Sequence, residues 1–332
     1  MKILPILAVA AGIAAMAALV LHFGVGAVWT ALLAVGWLGF ASVVLLHLAL
    51  MVAMGLAWYA LLPGTRPWVA IWGRFVRDSG SEVLPLSQVG GYVLGTRAVA
   101  LFGVPATRGA ASTIVDVTLE FVGQLAYTAL GLLWLLHLNS QAIDPRAVLL
   151  GLAFASCLAL AFVMVQRRGI AQIDRIARIL GRGWADRTAA GAAALHQALE
   201  AIYRHRSGIW ASFLLHFGCW VASAAEVWVA LRFAGAPLPF GTVMVIESLV
   251  YATRTAAFVV PNSVGVQEGA YVVLGAAFGL SPEMGLALSL LKRARDLTIG
   301  VPVLALWQGI EGGRLWRRAA AKAPAASLAE PE

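Results

Sequence analysis

Long apolar stretches separated by short polar links run along the whole chain. An apolar stretch of about eighteen residues or more is long enough to cross the hydrocarbon core of a membrane as an α-helix. The pattern therefore predicts an all-α polytopic membrane protein. We assign about six full membrane helices on this basis, to residues 3–23, 37–62, 109–137, 147–166, 208–234 and 283–308.

Two further apolar stretches, 83–103 and 260–280, contain helix-breaking residues at membrane depth. The second includes VPNSVGVQEG, in which a proline, an asparagine and a glutamate interrupt the apolar sequence. Broken backbone at this depth is tolerated only where protein or a water-filled cavity surrounds it. We predict that both stretches are re-entrant or broken helices, with hinges at Pro85, Gly90, Gly91, Pro261, Gly265 and Gly269. Residues 241–258 are apolar as well and fit either a span or a helix lying flat.

The two broken stretches align with each other, which indicates an internal repeat. Pro261 and Phe278 follow Pro85 and Phe102 by 176 residues. Chance similarity between two apolar sequences of low complexity is the alternative. Because the predicted helices of the two halves run in opposite directions, the repeat predicts inverted halves, an arrangement that transporters use around a midplane site.

Composition supports the membrane assignment. The 332-residue chain is 61% hydrophobic and 12% charged, whereas soluble domains carry about a quarter charged residues. The first apolar run leads into more membrane sequence, so we interpret it as a retained helix and not as a signal peptide. Cys157 and Cys219 stand alone in apolar runs, and the histidines have no paired spacing. We therefore expect no disulfide, no metal and no cofactor.

The net charge of +8 comes from basic residues that cluster in predicted loops. This follows the positive-inside rule and does not indicate nucleic-acid binding. The rule places both termini, the basic loop 167–206 and the region of Arg66, Arg74 and Arg77 on the cytoplasmic side. The chain then divides into a membrane half 1–166, an amphipathic cytoplasmic loop 167–206, a membrane half 207–312 and a disordered tail 313–332.

Charged residues inside two predicted membrane helices are the candidate functional groups. In 109–137 and in 283–308, polar side chains recur at spacings of three and four, so each helix has one polar stripe. Each such charge costs roughly 2.5–3.5 kcal/mol near a helix centre, so the stripes must face inward. We expect a polar cavity between the halves, lined by Arg97, Asp116, Glu120, Gln124, Asn262, Glu268, Lys292, Arg293, Arg295 and Asp296.

Two interpretations of these charges stay open. They either handle a lipid headgroup or protons, or they form an ion-pair network that only clamps the halves. We favour the first, because buried pairs are poor sources of stability. In both cases Asp116 and Glu120 should lie within reach of Lys292, Arg293 or Arg295. Weaker candidates for the same cavity are Arg108, Glu226, Glu247 and Arg254. Arg108 and Glu226 could instead lie at the membrane interface and snorkel.

The segment PNSVGVQEGAYVVLGAAFG and the basic-acidic helix after it resemble the flippase-like family that shares the transmembrane region of lysylphosphatidylglycerol synthases. The motif residues are Pro261, Gly265, Val266 and Glu268, and the resemblance covers about residues 1–310. Within the family, the chain is similar to small membrane proteins encoded with hopanoid biosynthesis. The synthases carry a soluble aminoacyl-transferase domain after the membrane part, and the sequence stops before one, so we do not expect lipid aminoacylation.

The resemblance implies lipid translocation in the bacterial inner membrane, with membrane lipids as substrates and hopanoid-synthesis or lipid-export proteins as candidate partners. The first hypothesis is therefore a flippase or transporter for hopanoid or another amphiphilic lipid. The second is an intramembrane lipid-modifying enzyme that uses Asp116 and Glu120 as acid and base. The third is a scaffold for hopanoid-synthesis enzymes. The sequence contains no paired-aspartate diphosphate motif and no nucleophile–histidine arrangement, so we favour a non-enzymatic role.

Overall fold

The computed structural model describes residues 25–84, 87–138, 182–257 and 260–322, together with parts of 17–23 and 146–160. Within these ranges the chain forms helices joined by turns and loops and contains no strand, which confirms the predicted all-α class. The helices are α1 Val25–Ala60, α2 Pro67–Val83, α3 Ser87–Ala100, α4 Ala106–His137, α5 Arg182–Arg204, α6 Arg206–Phe233, α7 Phe240–Ala256, α8 Val266–Ala277 and α9 Pro282–Lys322, with a short 3-10 turn at Pro261–Ser263.

Three of the described helices, α1, α4 and α6, are long and apolar enough to cross a membrane. Of the six predicted spans, 3–23 and 147–166 fall largely outside the described residues. The predicted span 283–308 lies within α9, where four charged residues occupy positions 292–296. The membrane character of the chain is therefore clear, and the count of six spans stays a prediction.

Both stretches with predicted breaks contain helices too short to cross a bilayer. Helix α3 has 14 residues and α8 has 12, which correspond to about 21 Å and 18 Å of rise against about 30 Å of hydrocarbon. After each of them, a glycine with positive φ ends the turn: Gly103 at 94° and Gly279 at 87°. A β-carbon is disfavoured in this backbone conformation.

The order of helices after residue 25 occurs twice. A long helix, a 17-residue helix, a short helix and a second long helix form α1–α4, and the same series forms α6–α9. Contacts between the two groups come in exchanged pairs. Helix α1 packs on α6. The contact of α4 with α7 corresponds to the contact of α9 with α2. The contact of α4 with α6 likewise corresponds to the contact of α9 with α1.

Several boundaries differ from the sequence prediction. Helix α1 begins at Val25, twelve residues before the predicted span 37–62, and bends at Gly36, whose φ of 65° and ψ of 173° are not helical. The part after this bend corresponds to the predicted span 37–62. Helix α5 occupies the end of the predicted loop 167–206, where Leu199 and Ile202 pack against α4. Helix α9 continues to Lys322, within the stretch that the sequence assigns to the tail.

Glycines allow α2 and α3 to pack closely. A Cβ at Gly91 would lie 2.5 Å from the carbonyl oxygen of Arg77 and would also overlap Ser81 Oγ. A Cβ at Gly95 would lie 2.7 Å from Cβ of Arg77. The sequence predicts a hinge at Gly91, but this glycine lies inside α3, where helix α2 approaches its backbone. At Gly269, by contrast, no atom lies within 4 Å of the position that a Cβ would take.

We predict opposite effects for alanine at these two glycines. Gly91→Ala should destabilise the protein by about 1–3 kcal/mol, because its methyl group overlaps the backbone of α2. Gly269→Ala should stabilise it by up to about 1 kcal/mol, since the space is open and alanine favours the helix. Thermal unfolding of the two variants in the same detergent measures this, and equal midpoints would contradict the close packing of α3 on α2.

Candidate functional site

The segment that breaks the second half is built from residues with unusual backbone angles. Asn262 and Ser263 have φ of 52° and 47°, and Gly265 has φ of 82°. The Asn262 side-chain amide donates to the Glu82 carbonyl oxygen at 2.5 Å, which ties the break to the end of α2. Helix α8 then starts with a cap in which the Glu268 carboxylate accepts from the Gly265 N–H at 2.7 Å. The polar residues of VPNSVGVQEG thus provide hydrogen-bond partners for backbone groups where the helix is broken.

The first charged network joins α2 to α4. Arg74 donates to both carboxylate oxygens of Glu120, at 2.6 Å and 2.9 Å. Arg77 donates to Asp116 at 2.6 Å and also to Glu120. Both arginines and Asp116 are buried. Guanidinium groups suit this position, because their planar set of donors serves two carboxylates at once.

Two more groups complete this network. Asp78, one helical turn after Arg74, accepts from its Nε at 2.6 Å. The ring of His216 on α6 lies with its Nε2 2.9 Å from Asp116 Oδ1, and both side chains are fully buried. We call Arg74, Arg77, Asp78, Asp116, Glu120 and His216 the first network.

The second charged network lies among α6, α7, α8 and α9. Lys292 donates to Glu247 at 2.6 Å and to the Tyr271 hydroxyl at 3.0 Å. The same hydroxyl donates to Glu247, so the three groups form a closed triangle. Lys292, Tyr271 and Glu247 are all buried.

Arg293 and Arg295 extend the network on either side of Lys292. Arg293 donates to Glu268 at 2.5 Å and 3.2 Å, so the residue that caps α8 also holds α9. Arg295 pairs with Glu226 and, at 2.6 Å, with Asp296. His47 on α1 has its Nδ1 2.9 Å from Glu226 Oε1. The second network comprises His47, Glu226, Glu247, Glu268, Tyr271, Lys292, Arg293, Arg295 and Asp296.

Partly exposed charged residues of the two groups of helices lie beside the networks, and one ion pair joins them. Arg254 at the end of α7 donates to Glu82 at the end of α2, at 3.1 Å, and interacts electrostatically with Asp296. Gln124 donates to the Tyr251 carbonyl oxygen at 3.1 Å and thereby joins α4 to α7. The charged side chains of this group are 12–25% exposed, in contrast to the buried groups behind them: Asp78, Glu82, Glu120, Arg254, Arg293 and Asp296. We call these six residues the charged line.

The predicted partners of the acidic stripe were wrong. Asp116 and Glu120 pair with arginines of α2, not with Lys292, Arg293 or Arg295, because each group of helices carries its own countercharges. Glu226 and Glu247 are full members of the second network, so Glu226 does not snorkel at an interface.

The outlying predicted residues have other positions. Arg97 is not brought into either network: its side chain is 55% exposed and pairs with Glu311 on α9. Arg108, at the start of α4, donates to the Pro63 carbonyl oxygen in the loop between α1 and α2. Gly90 is half-buried, whereas Pro85 lies outside the described residues, as does the side chain of Pro261. The cavity role of the predicted residues stays a prediction.

Arg74 and Arg77 are the main residues that the sequence analysis did not identify. Their high charge density made 67–83 look like part of a cytoplasmic loop. The signal that could have found them is periodicity: Ala70, Arg74 and Arg77 recur at spacings of three and four on one buried face of α2. His47 and His216 carried no sequence signal, since each is a single polar residue in an apolar run.

The chain matches the family described as the lysylphosphatidylglycerol synthase TM region over residues 6–303, and it belongs to that family. This confirms the family resemblance of the broken segment and of the helix after it. No curated protein and no solved structure matches the chain.

We predict that Lys292 is energetically coupled to Glu247 and not to Asp116. In a Tyr271→Phe background, which removes the shared hydroxyl, Lys292→Met alone should cost roughly 3–5 kcal/mol because it leaves Glu247 buried and unpaired. Adding Glu247→Leu should restore most of this loss. Adding Asp116→Leu instead should give an additive change, within about 0.5 kcal/mol. Free energies of unfolding by detergent titration measure both cycles, and coupling of Lys292 to Asp116 would contradict the separation of the two networks.

Proposed function

We propose that the protein moves an amphiphilic lipid across the bacterial inner membrane, as a flippase-type transporter whose two halves are inverted repeats. The observation that carries this proposal is the charged line: partly exposed ionised groups run between α1–α4 and α6–α9, within a chain whose helices cross a membrane. Charged side chains among membrane-spanning helices are costly and rare, and they mark pathways for polar groups.

The structural arrangement supports inverted halves in two ways. Each half contains the same order of helices, and the contacts between the halves exchange α4 with α9 and α7 with α2. Such exchange is what a two-fold axis produces, since every contact then has a symmetry-related copy. Inverted repeats related by an axis in the membrane plane form substrate sites at their interface, with broken helices nearby.

A lipid needs a polar route for its headgroup and an apolar one for its tail. The charged line offers four acidic and two basic side chains, so a headgroup with phosphate, amine or hydroxyl groups can exchange one contact for the next. On the opposite side of α2, an apolar groove of about 550 Å³ runs between α2 and α9 and is lined by residues such as Trp68, Ile71, Phe75, Val303, Leu306 and Ile310. We propose that a lipid tail lies in this groove while the headgroup moves.

Hopanoid is the lipid class that we propose, on the basis of the sequence resemblance to membrane proteins encoded with hopanoid biosynthesis. The family supports a lipid-related membrane function, and the choice of lipid depends on this resemblance alone. An extended hopanoid carries hydroxyl or amine groups on a rigid apolar body, which fits a polar line beside an apolar groove. The lipid-modifying enzyme is less well supported, because Asp116 and Glu120 are both held by arginines and neither is free to take a proton.

We predict that neutralising the charged line stops lipid movement without unfolding the protein. The double variant Glu82→Gln with Arg254→Gln removes an ion pair that is partly exposed, so its cost in stability should be about 1 kcal/mol or less. Translocation should slow by about tenfold or more, which corresponds to ~1.4 kcal/mol in the barrier. Proteoliposomes that contain either a headgroup-labelled hopanoid or a headgroup-labelled phospholipid measure the rate, beside product analysis of the extracted lipids.

The matched control is Arg97→Gln with Glu311→Gln, which removes an ion pair that lies off the charged line. It should transport at the parent rate. If the two double variants transport equally fast, the charged line is not the route. A modified lipid in the extracts would instead support the enzyme.

A further inference from the structure

The apolar groove between α2 and α9 is open to the lipid side of the protein. Trp68, Leu306 and Ile310 line it and are 45%, 61% and 37% exposed. In a chain that crosses a membrane, exposed apolar side chains of this kind lie against lipid tails, which are as apolar as leucine. Helix α2 belongs to the first group of helices and α9 to the second. A lipid in this groove therefore touches both halves.

A series of side-chain contacts marks one end of the groove. Trp68 lies edge-on to Phe102, with ring centroids 4.7 Å apart. The guanidinium carbon of Arg314 lies 4.8 Å from the centroid of the same Phe102 ring. Arg66 directly precedes α2 and is two positions before Trp68. Arg66 from the first half and Arg314 from the second therefore flank the same end of the groove.

The sequence around this end of the groove is strongly basic. Residues 61–71, 97–110 and 303–322 together contain seven basic residues and one acidic residue, Glu311. The carboxylate of Glu311 is already paired with Arg97. The end of the groove thus has a surplus of positive charge and no free carboxylate within these segments.

Arg66 and Arg314 both keep donors for an anion. Arg66 is exposed and has no ion-pair partner among the described residues. Arg314 is half-buried, and one of its guanidinium nitrogens donates to the Leu101 carbonyl oxygen. A guanidinium has five N–H donors, so this single bond leaves most of them available. Guanidinium groups also match the geometry of phosphate oxygens.

The groove extends from this basic end along apolar walls. From Trp68 to Phe75, α2 rises about 10 Å, and both residues line the groove. Helix α9 runs beside α2 in the opposite direction, because Gly300 packs on Ser79, farther from the basic end. The groove therefore offers an apolar channel about 10 Å long next to a cationic rim. This is the shape of a site for one chain of an amphiphile with an anionic head.

We propose that the groove holds a diacyl glycerophospholipid with a net negative headgroup. Its phosphate lies between Arg66 and Arg314, and one of its acyl chains fills the groove. A zwitterionic headgroup fits less well, because its cation meets further positive charge and no free carboxylate. The positive-inside rule predicts that this end faces the cytoplasmic leaflet, where anionic lipids attract basic residues. The site stands on the groove and its charges, and only the exchange of this resident lipid for a transported one rests on the proposed function.

Native mass spectrometry of the detergent-purified protein tests the proposal. Titration with dioleoyl phosphatidylglycerol or dioleoyl phosphatidylcholine gives the apparent Kd of the first bound lipid. The parent should bind the anionic lipid about tenfold more tightly than the zwitterionic one. Arg66→Gln should weaken binding of the anionic lipid about fivefold, and Arg66→Gln with Arg314→Gln about twentyfold, since each arginine near a lipid phosphate contributes a similar factor.

Arg232→Gln is the matched control for the loss of charge. Arg232 is also exposed, and its guanidinium carbon lies 4.0 Å from the Trp228 ring centroid, but it ends α6, away from the groove. This variant should bind the anionic lipid as the parent does. If the double variant does not fold, Arg66→Gln decides alone, because the Arg66 side chain has no ion pair to lose among the described residues.

A further variant tests whether the acyl chain uses the groove. Leu306→Trp places a larger side chain at the open wall and should weaken binding of the anionic lipid, whereas soluble glycerophosphoglycerol should not compete with it. Equal affinity for the two lipids would overturn the proposal, as would a double variant that binds like Arg232→Gln. Unchanged binding by Leu306→Trp would leave only a headgroup patch and contradict the groove site. Expected binding by a protein that moves no lipid would refute transport and leave this site standing.

Discussion

The structure depends on one constraint: an ionised side chain inside a membrane protein must be paired, because hydrocarbon cannot solvate it. Helix α9 carries four charged residues within positions 292–296, and α2 carries Arg74, Arg77 and Asp78. Neither helix can face lipid with these groups. Each must therefore lie where partners of opposite sign are within reach, and ion pairs link α2 to α4 and α9 to α6, α7 and α8.

This pairing separates strong contacts within the halves from weaker ones between them. Arg74 and Glu120 share two hydrogen bonds within the first half, and Lys292 forms a closed triangle with Glu247 and Tyr271 within the second. Between the halves, the charged contacts within the described residues are His216–Asp116, His47–Glu226 and the partly exposed pairs Arg254–Glu82 and Arg97–Glu311. Movement of one half against the other would thus break these four contacts and leave the arginine–carboxylate and lysine–carboxylate pairs within each half intact. That is the mechanical requirement of alternating access by rigid halves.

The sequence predicted the features that depend on a single helix and not on its neighbours. Apolar length identified α1, α4 and α6, and proline with glycine predicted the helix boundary before α8. It did not predict α2, because charged residues lower the apparent hydropathy of a helix that is buried by its partners. Nor did it predict that Asp116 would pair with Arg77, since a polar stripe shows which face is buried but not which helix covers it. Partner choice depends on tertiary packing, which periodicity does not encode.

The sequence also does not show which neighbour each predicted hinge glycine contacts. Gly265 was predicted at the break, where its φ of 82° is required. Gly91 lies against α2, and its role is close helix packing. Both uses of glycine look alike in sequence, because each needs only the absence of a side chain.

If the two halves are inverted, the loops before α2 and α7 lie on opposite faces of the membrane. Arg66 and Pro237 are exposed in these two corresponding loops. In a chain with Cys157 and Cys219 replaced by alanine, Arg66→Cys and Pro237→Cys are each labelled with a membrane-impermeant maleimide, in spheroplasts and in inverted vesicles. Inverted halves predict labelling from opposite faces, with Arg66→Cys reacting only from the cytoplasmic side. Labelling of both cysteines from the same face would contradict inverted halves.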